Sequence, residues 1–172
     1  MLKMMGCLIV LFASIGFAGS IQMEMKRHLI LLYEARKMLN DILYEEMYSM
    51  QPVENILLYS IHTRDERLNE ILHKIGNQLL QKEAGTGESV WSDVFFEHRN
   101  QLFLKEEEAE VIEHAGSAFF GKGMEENQKV LALYLERLNF LIETERKERR
   151  EKQKVYQTAT IMCGLILIIL LI

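Results

Sequence analysis

Arg146-Lys147-Glu148-Arg149-Arg150-Glu151-Lys152-Gln153-Lys154 runs directly into Val155–Ile172, a segment with no charged side chain. Eighteen residues of helix reach about 27 Å at about 1.5 Å per residue. That is close to the roughly 30 Å of bilayer hydrocarbon. Tyr156 stands where an interfacial aromatic belongs. The dense cations before the segment predict orientation, because Lys and Arg beside a membrane helix stay on the cytoplasmic side. The chain before Arg146 is therefore expected in the cytoplasm, and residues 155–172 are predicted to be a transmembrane helix.

The other end reads the same way. From Leu2 to Ile21 the sequence is apolar apart from Lys3, Ser14 and Ser20, long enough to span. A cleaved signal peptide is the rival reading. Against it stand a single basic residue at the start and no Ala-x-Ala site near Ala18-Gly19-Ser20. Export would also put the cationic collar outside. Lys26, Arg27, Arg36 and Lys37 follow the segment, so the charge bias agrees at both ends. The expected organisation is a transmembrane helix over 1–22, a cytoplasmic helical bundle over 23–154, and a second transmembrane helix over 155–172. Gly16 and Ser20 lie four apart, and Thr160 lies four before Gly164. Such spacing lets membrane helices approach closely, though glycine is common in membrane helices generally.

Between the ends lies nearly all the charge. Of 20 Lys and Arg only Lys3 lies outside 24–154, so that stretch carries 19 cations against 25 anions, a net of −6. An acidic domain argues against nucleic acid as a ligand. The two cysteines, Cys7 and Cys163, lie in the apolar ends and offer neither a disulfide framework nor a metal spacing.

One proline, no Asn-Gly or Asp-Gly signal and no strand-type alternation point to helix throughout. Apolar residues at 25, 29, 32, 39, 43 and 50 form a helical seam. Pro52 suits the first turn of a short second helix with Val53, Ile56, Leu57 and Ile61. Thr63-Arg64-Asp65-Glu66 has capping-box form, ahead of Leu68, Leu72, Ile75 and Leu79; that helix is expected to end near Gly85-Thr86-Gly87. A fourth helix carries Val90, Trp91, Val94, Phe95 and Leu102, with a break near Leu104. A fifth opens with Glu106-Glu107-Glu108, anions suited to the positive end of a helix dipole, and buries Ala109, Ile112, Ala115 and Phe119. Gly121-Lys122-Gly123 stops it. The sixth starts near Glu125, runs through Leu131, Leu135, Leu138 and Ile142, and continues into the collar. The fold class predicted is all-α, an antiparallel bundle of about six helices.

Catalytic chemistry finds little support. Glu70 and His73 have the Glu-x-x-His spacing of a di-iron bundle, but such a site needs a second pair and two more carboxylates. No metalloprotease, phosphate-loop or nucleophile-elbow motif occurs. No enzyme activity and no cofactor or metal is therefore expected. Glu106, Glu107, Glu108, Glu110 and Glu113 read as a docking patch for a basic partner or as a solvated helix face. Arg146, Lys147, Arg149, Arg150, Lys152 and Lys154 form the membrane-orienting collar.

Met1-Leu2-Lys3-Met4-Met5-Gly6, the stretch from Glu45 to Glu54, Trp91, and Gly121 followed by Glu126-Asn127-Gln128-Lys129 resemble the stage III sporulation protein AB family. So does the basic helix entering a terminal span with Gly164-Leu165. The resemblance covers the whole length. Where the family usually has Tyr-Gly-x-Thr-Pro-Leu, this chain has Tyr48-Ser49-Met50-Gln51-Pro52-Val53, and a turn-associated glycine is displaced to Gly116. The family is similar to the cytoplasmic domain of the F-type inner-membrane platform protein of type II secretion and type IV pilus systems. The resemblance implies a non-catalytic structural part of the channel-like apparatus between mother cell and forespore. It would lie in the mother-cell membrane around the forespore, bind a cognate secretion-type ATPase and ring-forming membrane proteins, and keep its domain in the mother-cell cytoplasm. A membrane-anchored adaptor or sensor outside any secretion system is the alternative.

Overall fold

The computed structural model describes the backbone of residues 2–49, 51–81, 85–121 and 123–171. Side chains are described at Met23 and from residue 26 onward in those stretches, except 124, 157, 160–161, 164–165 and 167–171. Among the described residues six α-helices form: α1 (Leu2–Ser49), α2 (Val53–Asn55), α3 (Glu66–Gln81), α4 (Gly87–His98), α5 (Glu106–Ser117) and α6 (Met124–Leu171). A π-helical turn, Ile56–Ser60, extends α2; 3₁₀ turns, Arg99–Leu102 and Ala118–Phe120, extend α4 and α5. No strand occurs among the described residues, and the expected all-α class holds.

The chain divides into two units. One comprises Met1–Leu29 with Glu143–Ile172, the other Ile30–Ile142. In the first, Arg146 pairs with Glu143 at 3.3 Å and Lys152 with Glu148 at 3.8 Å, both along α6. Among the described residues no helix is long and apolar enough to cross a membrane. The side chains of 1–22 and most of those of 157–172 lie outside that description, and with them the predicted spans and the packing residues Gly16, Ser20 and Gly164.

In the second unit the apolar periodicity decides the core. On α1 the buried stripe is Leu31, Leu32, Ala35, Met38, Leu39 and Ile42. The seam thus passes through Ile42, and Leu43, expected on it, is half-buried. The stripe shifts because an α-helix turns every 3.6 residues, so 35, 38, 39 and 42 fall on one face. Leu68, Ile71, Leu72 and Ile75 bury the face of α3; Val90, Trp91, Val94 and Phe95 that of α4; Ala109, Ile112 and Ala115 that of α5. Leu131, Leu138 and Ile142 complete it from α6.

The cap of α3 corrects the expected box. Asp65, not Thr63, is the cap: its Oδ1 accepts from the Arg67 backbone N–H at 3.0 Å and the Leu68 N–H at 3.4 Å. A carboxylate directly before the first turn reaches those donors, whereas Thr63 starts two residues too early. Thr63 instead ties the approach to the helix. Its backbone N–H donates to Asn69 Oδ1 at 2.8 Å, and Asn69 Nδ2 donates to its carbonyl at 2.8 Å.

Two helices meet closely where α5 has no side chain. A Cβ at Gly116 would overlap the indole of Trp91. The glycine therefore admits the ring, which is fully buried and meets Phe119 edge-on at 6.5 Å between centroids. Ser92 and Ser117 close the same seam with their hydroxyls 3.1 Å apart. The indole Nε1 has no hydrogen-bond partner among the described residues, a cost the packing has to offset.

Candidate functional site: the outer face of α5 and the cavity at its end

Three successive glutamates open α5, and the helix sorts them by direction. Glu106 and Glu107 are exposed, as is Glu110 one turn on; Glu113 is half-buried. Glu107 pairs with Arg137 of α6. Glu108 departs from the expected docking patch. It is 1% exposed, and its Oε2 accepts from the Lys105 backbone N–H at 2.8 Å. At the third position of the first turn a glutamate faces back toward the cap, so it serves the helix start rather than a partner. The exposed acidic face is therefore Glu106, Glu107 and Glu110, with Glu113 at its margin.

That face leads along α5 to a cavity of about 320 Å³. Glu88 of α4, His114 and Ser117 of α5, Gly121, and Glu126, Asn127 and Tyr134 of α6 line it. The imidazole of His114 lies stacked on the ring of Tyr134, 6.0 Å between centroids and 23° between planes. Asn127 is 7% exposed, and its Nδ2 donates to the Phe119 carbonyl at 3.5 Å. A Cβ at Gly121 would overlap Asn127 Oδ1, so the glycine is what lets the carboxamide sit there. Among the described residues lining the cavity there is no Lys or Arg.

The sequence reading missed this cavity. Its residues come from three helices at irregular spacing, and no linear pattern joins Glu88 to His114 and Tyr134. The one usable signal was the stretch Gly121 with Glu126-Asn127, singled out for its resemblance rather than its chemistry.

The other sequence-derived residues are dispersed. Glu70 and His73 are both exposed on α3. Arg146, Lys147, Arg150, Lys152 and Lys154 are exposed along α6, and Arg149 is half-buried. A second charged feature went unforeseen. Arg67 grips Asp65 with two bonds, Nε to Oδ1 at 3.0 Å and Nη2 to Oδ2 at 2.6 Å, and its Nη1 donates to the Gln101 carbonyl at 2.8 Å. That fork holds the Asp65 carboxyl below its ordinary value, first through the side-chain hydrogen bond. It also anchors the turn at Phe103, whose φ of 53° is left-handed and whose ring is 79% exposed under Arg67.

No curated protein and no solved structure matches the chain. The family model for stage III sporulation protein AB matches residues 3–172, and the chain belongs to that family of sporulation proteins.

Proposed function

We propose that the chain is a non-catalytic platform of the sporulation apparatus, held by both ends in the mother-cell membrane around the forespore. It binds a cognate secretion-type ATPase and ring-forming membrane proteins, and couples the motor to the rings. The family match over residues 3–172 carries the reading. The apolar ends and the collar from Arg146 to Lys154 support the membrane placement and the cytoplasmic side of the domain. The acidic face of α5 supports a basic partner surface.

The test uses the full chain in sporulating cells. A tagged copy should collect at the membrane surrounding the forespore, and the cognate ATPase should co-purify from detergent-solubilised membranes. A fluorescent protein inserted between the apolar ends should fluoresce, and alkaline phosphatase inserted there should be inactive. An active phosphatase insertion, or recovery without any motor protein, overturns the platform reading.

A further inference from the structure

Twice in this unit a guanidinium is held between a carboxylate and an aromatic ring. Arg137 pairs with Glu107 and lies over Phe140 at 5.4 Å. Arg67 pairs with Asp65 and lies over Phe103 at 5.9 Å. At the cavity the same parts recur: Glu88 and Glu126 supply carboxylates, and His114 stacked on Tyr134 supplies flat ring surface. There, no lining residue among those described supplies the cation. Asn127 adds a buried carboxamide whose Nδ2 donates to the Phe119 carbonyl at 3.5 Å. We propose that the cavity receives the guanidinium of an arginine presented by a basic protein partner.

The chemistry favours arginine over other ligands. Two carboxylates accept hydrogen bonds from a cation and repel an anion. A planar guanidinium stacks flat on an aromatic face while its five donors project in the ring-parallel plane in a fixed fork, whereas an ammonium is a compact point charge with three rotatable donors. At about 320 Å³ the cavity has room for an arginine side chain. The exposed carboxylates Glu106 and Glu110 lie on the same helix, so a basic surface drawn to α5 would bring an arginine to the cavity. Arginines seated in pockets are common anchors of protein interfaces. The inference rests on the platform reading only for which protein brings the arginine.

The test titrates the full chain, in detergent micelles, with N-acetyl-arginine methylamide. The ring signal of His114, isotope-labelled and assigned with His114→Gln, reports binding. The expected result is a saturable shift that the neutral citrulline analogue does not produce. The double variant Glu88→Gln/Glu126→Gln should weaken binding at least about tenfold, since both charge-assisted bonds are lost. Tyr134→Leu should weaken it independently by removing the stacking face. The fluorescence of Trp91, the sole tryptophan, checks that each variant is folded. No saturable shift, equal binding of the citrulline analogue, or unchanged binding by the double variant overturns the proposal. These outcomes need no partner, so they leave the platform reading standing. Conversely, a motor recovered equally by wild type and a double variant that has lost the probe shows that this arginine is not the partner's.

Discussion

Gly116→Ala puts one methyl group where the structure has an indole. A Cβ at 116 would overlap ring atoms of Trp91, which is fully buried and meets Phe119 edge-on. The ring cannot swing into solvent, so α4 and α5 must part or Trp91 must leave its rotamer. Overpacking of this kind costs about 1–3 kcal/mol. An overlap this deep with a rigid ring belongs at or above the upper end of that range. Against it, alanine is a better helix former than glycine by about 1 kcal/mol. The net expectation is a loss of about 2 kcal/mol. For a domain of this size that is a drop in melting temperature of roughly 5–15 °C. The assay is thermal unfolding of the full chain in detergent, followed by near-ultraviolet circular dichroism of Trp91. Gly123→Ala is the control, since nothing lies within 4 Å of its added methyl; it should change stability by no more than about 0.5 kcal/mol. If Gly116→Ala melts at or above the wild-type temperature, the close approach of the two helices is wrong.

Asp65→Ala should cost roughly 1–2 kcal/mol at pH 7 by removing the α3 cap, as read by urea unfolding. Because the folded carboxyl lies below its ordinary 3.8, its contribution is full above that value, and the penalty should fade as pH drops through the lower folded value. Glu46 is the opposite case: burial raises its carboxyl above 4.5, and Oε2 has no partner among the described residues. Ionised Glu46 therefore works against the fold, so Glu46→Gln should stabilise by a few tenths to about 1 kcal/mol at pH 7, with the gain vanishing below the ordinary carboxylate range; a loss at pH 7 in melting experiments would refute this. Phe103→Asn relieves a left-handed backbone worth about 1 kcal/mol and removes a mostly exposed ring that Arg67 lies over. It should leave chemical stability unchanged or raised, and a fall of more than about 1 kcal/mol would show that the ring matters to the fold.

Helix positions were legible because each helix buries one face. Leu68, Leu72 and Ile75, or Ala109, Ile112 and Ala115, recur at three- and four-residue steps whatever they pack against. Starts and stops were less legible. Thr63 and Asp65 both have cap-forming side chains, and the approach of the chain, fixed by Asn69, decided between them. The break expected near Leu104 is there, but the left-handed Phe103 that makes it could not be foreseen, since a bulky aromatic is a poor choice for positive φ; a tertiary bond from Arg67 to Gln101 holds the neighbouring turn. Glu108 shows the limit for function. Five glutamates in one helix look alike in sequence, yet one faces its own cap while others face water. The cavity lay further out of reach, because the residues that line it are brought together only by the packing of α4, α5 and the start of α6.

What the exposed carboxylates of α5 do for the fold is small. A solvent-exposed pair such as Glu107 with Arg137 contributes about 0–1 kcal/mol, and Glu106 and Glu110 sit in water in a domain where anions already outnumber cations. Their mutual repulsion is if anything unfavourable. The first-turn position explains Glu106, Glu107 and Glu108 through the helix dipole; Glu110 and Glu113 lie beyond the turn where that effect acts. A field from such a face reaches about 10 Å at 0.1 M salt, far enough to act on an approaching surface and too weakly to act on the distant core. Surface charge that adds so little to stability bears on encounter more than on folding, and under the proposed platform reading the side of α5 is where a basic partner would be sought.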